Sequence, residues 1–156
     1  MADSHDNLHA VKKAVQLFKD AVCKLVIHAG DFVAPFAARE LENLNCPVKA
    51  VFGNCDGEKK GLEKTVSSFG EIQKSPLLFS HDGLDFFVTH VPSGLKRHTA
   101  SGKYDFIIFA HTHTPEVCKK GDTLLINPGE TGGWVSGKST VVLLDTEALS
   151  AEIIAL

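Results

Sequence analysis

Five apolar segments of this chain each run into residues that can hold a cation or accept a hydrogen bond. Lys24–Ile27 leads into His28-Ala29-Gly30-Asp31, and Val48–Phe52 into Gly53-Asn54-Cys55-Asp56. Phe86–Thr89 leads into His90, Ile107–Ala110 into His111-Thr112-His113, and Leu124–Ile126 into Asn127-Pro128-Gly129. Asp3 and His5 add the same residue types near the start. Layered α/β folds place their sites where loops converge at the carboxyl ends of strands. The pattern therefore predicts one cluster of Asp3, His5, Asp31, Asn54, His90, His111 and His113. Taken singly, each has an ordinary explanation. Asp31 suits a helix N-cap, Asn54 a turn, and His28 reads as a hydrogen-bonded core residue. Two imidazoles at i and i+2 after a strongly apolar strand are harder to explain so, and the fivefold recurrence harder still.

The chemistry of that set is specific. A catalytic single ion takes three or four protein ligands, whereas two carboxylates, one amide and four imidazoles suit two divalent ions about 3.5–4 Å apart with one bridging carboxylate. The mixed oxygen and nitrogen donors favour manganese, with nickel, iron, cobalt or zinc as the other fits, over calcium or magnesium. The cysteines show no zinc-finger spacing, so a structural zinc is not expected. Two divalent ions, offset by two carboxylates and a bridging hydroxide, leave about one net positive charge. Such a site attracts a phosphate ester and supplies a nucleophile at neutral pH.

The elements that must position these residues follow from periodicity. Leu8, Val11, Val15, Leu17, Phe18 and Val22 recur at helical spacing, which predicts a helix over 8–21. Lys24–His28, Pro47–Phe52 and Tyr104–Ala110 read as strands. Residues 35–44, 57–67 and 92–101 read as helices. Hairpins are expected around His81-Asp82-Gly83, around Lys120-Gly121-Asp122, and between 140–144 and 151–155. The order βαβα followed by hairpins predicts an α/β fold, a two-sheet β-sandwich flanked by helices in four layers (αββα).

Composition agrees. The chain has 156 residues, 44% hydrophobic and 22% charged, which suits one globular domain over 1–156 and excludes a disordered chain. A net charge of -3 offers no basic face to long nucleic acid. No apolar run reaches the roughly 18 residues needed to span a membrane. Asp3–Asn7 is too polar for a signal peptide. Cys23, Cys46, Cys55 and Cys118 are widely spaced and read as reduced thiols, which predicts a cytoplasmic protein.

In the order Asp-x-His, Gly-Asp, Gly-Asn-x-Asp, His, His-x-His, the chain resembles the calcineurin-like metallophosphoesterase superfamily. Its shortness and Gly53-Asn54-Cys55-Asp56 resemble the small prokaryotic phosphodiesterases of that family. The resemblance implies that Asp3, His5, Asp31 and His113 hold one metal, with Asp31 bridging, and that Asn54, His90 and His111 hold the second. It gives Asn54 and His90 the catalytic part, and Asn54, Cys55 and His90 the substrate contacts. Asn127-Pro128-Gly129 is expected to shape the site rather than ligate. The implied activity is hydrolysis of a small phosphodiester by a hydroxide held between two metals.

Three departures from the family pattern carry consequences. Cys55 stands where the family's phosphomonoesterases carry a His, so diesters or good leaving groups are expected to be preferred. Val91-Pro92 follows His90 where a Gly is usual, and Ala110 replaces the Gly before His-x-His. Asp3 follows only Met1 and Ala2, so the sheet is expected to lack its first strand, with Met1 an internal residue of it.

The alternative reading is a non-catalytic protein-binding scaffold of the same fold, as in a retromer subunit. A lactamase-like hydrolase is excluded because its His-x-His-x-Asp-His string is missing. Trp134 is expected to pack as a loop anchor, with lining of the substrate entrance as the alternative; Lys96, Arg97 and His98 are expected to form a solvated helix face, with phosphate attraction as the alternative; Glu130 has no assigned role. The apolar C-terminal hairpin is expected to complete the second sheet, and it leaves homo-oligomerisation open.

Overall fold

The computed structural model describes residues 1–156. Helix α1 (Leu8–Asp20) begins where the Asn7 side chain accepts from the Ala10 N–H at 3.2 Å, satisfying one of the orphan donors of the first turn. It buries Val11, Val15 and Phe18 of the predicted stripe together with Ala14, leaves Leu8 and Leu17 half-buried, and ends before Val22, which is exposed. Strand β1 (Val26–His28) follows, then α2 (Pro35–Ala38) with Pro35 in its first turn, tightening into a 3₁₀ segment (Arg39–Asn43). The helix expected over 35–44 is thus split. Next come β2 (Val48–Val51), α3 (Lys59–Val66), β3 (Gly70–Gln73), β4 (Leu77–His81), β5 (Leu84–Val88) and α4 (Leu95–Ala100). β6 (Phe106–Ile108), β7 (Glu116–Lys120), β8 (Thr123–Asn127), β9 (Thr140–Asp145) and β10 (Ser150–Ala155) complete the chain.

Three hydrogen-bonded sheets result. β1-β2-β3 is all parallel, β4-β5-β6-β8-β7 is mixed, and β9-β10 is an antiparallel pair. The C-terminal hairpin therefore stands as its own two-stranded sheet. Strand β3 is the one element the sequence reading misses. It has a single apolar residue with both strand neighbours polar, and it lies at an edge with alternate residues exposed.

Strand alternation creates the layers. Phe86, Val88, Phe106, Ile108, Leu124 and Ile126 face inward from the five-stranded sheet and pack with Ile27, Val51, Val142 and Leu144 from the other two. Phe87, Ile107 and Leu125, one residue out of phase, face the opposite way, toward Leu95 of α4. Val26, Val48 and Ala50 pack under Val11, Val15 and Phe18 of α1 and Leu62 of α3. The order is helix, sheet, sheet, helix, as expected. His98 lies with its ring centroid 4.3 Å from that of Phe87, so it covers the core rather than standing in solvent with Lys96 and Arg97.

The chain start runs beside β1. The Met1 amine donates to Ile27 O at 2.9 Å, and Met1 O accepts from Ala29 N at 2.9 Å. On the other side, Ala2 O and Asp3 O accept from Thr131 N and Gly132 N, each at 2.9 Å. Met1, Ala2 and Asp3 are consequently buried. A groove of about 670 Å³ opens beside Met1, between Leu25 and Ile27 on one wall and Val142 and Leu144 on the other.

Candidate metal centre

The site lies at the carboxyl ends of β1, β2, β5 and β6, where the parallel strands of two sheets point the same segments together. Its backbone is unusual. Asp3, His5, Asp31, His111 and His113 all have positive φ, between 41° and 72°. Non-glycine residues adopt that region rarely and at a cost, and such residues concentrate at functional sites. Gly30 (φ 101°) and Gly53 permit the close approach of the two loops: a Cβ on Gly30 would lie 2.8 Å from His90 Nδ1, and one on Gly53 would overlap the Asp31 carboxylate.

Asp56, buried at the end of the β2 loop, holds these loops in register. Its carboxylate accepts from Gly53 N at 2.7 Å, Val33 N at 2.8 Å and Asp31 N at 3.1 Å. Asp31 in turn accepts from Cys55 N at 2.7 Å. His28 is a core residue, as read from the sequence. It stacks on Phe32 with centroids 3.5 Å apart, meets Ser4 Oγ at 3.1 Å, and burial pushes its imidazole well below the ordinary value.

Two sets of side-chain atoms converge. In the first, His113 Nε2 lies 3.5 Å and His5 Nε2 3.9 Å from Asp3 Oδ1, with His5 Nε2 also 3.7 Å from Asp31 Oδ2. In the second, His90 Nε2 lies 3.4 Å from Asp31 Oδ2 and 2.9 Å from Asn54 Oδ1. Asp31 therefore touches both sets. Ligand atoms of Asp3, His5 and His113 lie within 4.8 Å of one another, as do those of Asp3, Asp31 and His90. The His111 ring is 5.2 Å from that of His90 and lies outside these groups, while its backbone N–H donates to Asp3 Oδ2 at 3.2 Å. Cys55 belongs to one group, with His5 and Asp31, although the sequence reading gives it only a substrate contact.

Hydrogen-bond polarity shows what the site lacks. Ala29 O lies 2.9 Å from His90 Nδ1, and a carbonyl accepts only, so Nδ1 carries a proton. In neutral His90 the Nε2 lone pair then faces two further acceptors, Asn54 Oδ1 and Asp31 Oδ2. Three acceptors aimed at one another need a proton or a cation between them. In the same way, buried Asp3 Oδ1 and His5 Nε2 have no hydrogen-bond partner. Orphaned buried polar atoms are costly unless something satisfies them, and these donors are the oxygen and imidazole nitrogen types that suit transition-metal ions. The residues present thus fit divalent cations.

Electrostatics agrees. Burial alone would push the Asp31 carboxyl up, but hydrogen bonding with His90 and the Cys55 N–H holds it well below the usual carboxylate range. Burial opposes a charge on His90, and Asp31 outweighs it and raises the imidazole. Burial pushes the Asp3 carboxyl up. The Cys55 thiol is raised to about 11, by desolvation and by Asp31.

Two residues near the site behave differently from expectation. Trp134 is 66% exposed rather than packed. Gly132, hydrogen-bonded to Asp3 O, sets the loop at the site rim, and the indole is held only by Nε1 donating to His5 O at 3.0 Å. Glu130, by contrast, is fully buried beside His113, at 3.5 Å. The sequence signal for it was weak, a lone acid in a glycine-rich loop directly after Asn127-Pro128-Gly129.

The pattern of the calcineurin-like phosphoesterase superfamily domain matches residues 1–149. The chain belongs to that superfamily. Phosphodiesterase MJ0936 of Methanocaldococcus jannaschii is 40% identical over 151 residues, covering 94% of this chain and 91% of its own. Phosphodiesterase YfcE of Escherichia coli is 26% identical over 168 residues, covering 96% and 87%. A solved structure described as a novel archaeal phosphodiesterase superposes with a TM-score of 0.95 at 38% identity, over 100% of this chain and 97% of that one. Vps29 of Entamoeba histolytica, 17% identical with a TM-score of 0.65 over 90% and 89%, shares the superfamily fold. Within the superfamily framework, side-chain atoms of Asp3, His5, Asp31, Asn54, His90 and His113 converge, while the His111 ring stands 5.2 Å from that of His90.

Proposed function

We propose that the chain is a metal-dependent phosphodiesterase acting on small phosphodiesters. The observation that carries this is the acceptor-only convergence at His90 Nε2, Asn54 Oδ1 and Asp31 Oδ2, which only a proton or cation reconciles. Asp3, His5, Asp31 and His113 would hold one divalent ion, and Asn54, His90 and His111 would hold the second. When bound, two such ions supply a nucleophile from water at neutral pH and offset the charge on the phosphoryl oxygens. Manganese is the favoured metal, with nickel, iron, cobalt and zinc as competitors.

The chain's own residues set the rest. Ala29 O fixes the His90 tautomer, so Nε2 presents a lone pair to the centre. Asp56 clamps the Gly30-Asp31 and Gly53-Asn54 loops at a fixed separation. Asn54 and His90 stand at the reacting phosphoryl group, and Cys55 borders it with a thiol that keeps its proton at neutral pH. A weakly acidic thiol is a poor donor to an alkoxide leaving group, so diesters with good leaving groups are favoured over monoesters.

The names of the relatives support this reading. The enzyme reading is preferred over the scaffold because the relative at 40% identity is named a phosphodiesterase, whereas the likeness to Vps29, at 17% identity, is one of fold alone. No helix is long and apolar enough to cross a membrane, and the four cysteines are unpaired, which supports a cytoplasmic location. The deciding experiment is turnover of bis-p-nitrophenyl phosphate against p-nitrophenyl phosphate with added manganese. Manganese-dependent diester cleavage is expected. No turnover of the diester with any of the five metals would defeat the proposal.

A further inference from the structure

Glu130 lies outside the ligand set, yet it is the largest completely buried acid near the centre. Its Oε1 accepts from Val135 N at 2.9 Å, and Oε2 from Ser136 N at 2.7 Å and Val135 N at 3.2 Å. Oε2 also lies 3.5 Å from His113 Nδ1, a buried nitrogen with no hydrogen-bond partner. The opposite nitrogen of that ring, Nε2, faces Asp3 Oδ1. The imidazole therefore lies between two buried carboxylates, one facing each nitrogen.

We propose that Glu130 is a positioning residue for His113. It accepts the Nδ1 proton, which leaves the lone pair on Nε2 aimed at Asp3, and its charge strengthens the ring as a donor to a cation. Ligating histidines commonly pass their second nitrogen to a carboxylate in this way. Two observations separate this from a mere loop cap. A neutral acceptor would satisfy the Val135 and Ser136 N–H groups without burying a charge. The backbone of His113 is also held at φ 57°, a conformation uncommon for a non-glycine residue and concentrated at functional sites.

The inference rests on the reading of Asp3, His5, Asp31 and His113 as one metal's ligands, and the test separates the two. Trp134 is the sole tryptophan and hydrogen-bonds to His5 O, so its emission reports that half of the centre. In metal-free protein, the ¹⁵N shifts of His113 should show Nδ1 protonated, and Glu130→Ala should convert the ring to a tautomer mixture. Glu130→Gln keeps an acceptor for the loop and removes the charge. It should bind manganese ten- to a hundredfold more weakly by Trp134 emission, with an unchanged circular dichroism spectrum. An unaltered His113 tautomer in Glu130→Ala, or wild-type manganese affinity in Glu130→Gln, would overturn the proposal. If manganese leaves wild-type Trp134 emission unchanged, the metal reading fails, and the tautomer measurement alone decides the Glu130–His113 relation.

Discussion

Asp31 and His90 come from strands of different sheets, and their side chains meet at 3.4 Å across the seam between them. In metal-free protein the meeting is an ion pair, since Asp31 is held ionised and raises His90. The signs fix its pH dependence. A raised histidine stabilises the fold fully below its unfolded value of about 6.5 and loses that contribution as pH rises through its folded value. A lowered aspartate stabilises above about 3.9 and loses that contribution as pH falls through its folded value. The Tm difference between wild type and His90→Gln should therefore be largest near pH 5 and shrink toward pH 8. In Asp31→Asn, burial should dominate and carry His90 below 6.5 by NMR titration. A Tm difference that is flat across this range would contradict the pairing.

Metal should stabilise the fold as well as activate it. A ligand at a hundred times its Kd stabilises by about 2.7 kcal/mol, which for a chain of this size means a Tm rise of roughly 5–10 °C. Chelator-treated protein should gain that much with manganese. Asp31→Asn, which touches both sets, should abolish the gain, whereas His113→Asn should remove only part. Equal retention of the gain in both variants would show that the cation binds elsewhere.

The site was legible from sequence wherever a strand delivers its last residue into a loop. Asp31, Asn54, His90 and His113 follow such strands, and alternation fixes which side of the sheet they reach. Apolar periodicity likewise recovered α1, and turn residues the three hairpins. What remained hidden depends on partners distant in the chain. β3 is held by backbone pairing to β2, with one apolar residue to announce it. Glu130 matters because a loop folds it under His113, and its type alone does not reveal burial. The glycine-rich loop around Trp134 allows either a packed anchor or a place at the site entrance, and Gly132 bonding to Asp3 O fixes the loop at the rim with the indole exposed.

Two glycines near the site should respond oppositely to alanine. A Cβ at Gly53 would overlap the Asp31 carboxylate, while one at Gly57 meets nothing within 4 Å. Gly53→Ala should cost roughly 1–3 kcal/mol and weaken manganese binding, since the loops must separate. Gly57→Ala should stay within about 0.5 kcal/mol. Denaturant melts of the pair test this, and equal stabilities would show that the Gly53 contact relaxes freely.

Cys55 offers a direct test of the proposed preference for diesters. Its thiol is raised to about 11, so in chelator-treated protein at pH 8 iodoacetamide should modify it roughly tenfold more slowly than a free cysteine, despite its exposure. The same retained proton makes it a weak acid toward a leaving alkoxide. An imidazole titrating near 6.5 can donate where this thiol cannot. Cys55→His should therefore raise the ratio of monoester to diester turnover by at least tenfold, mostly through kcat for the monoester, while Cys55→Ser should leave the ratio low. Because both variants keep Asp31, Asn54 and His90, manganese affinity should change little in either. A Cys55→His protein that binds manganese normally yet keeps the wild-type ratio would show that the leaving group takes its proton from elsewhere.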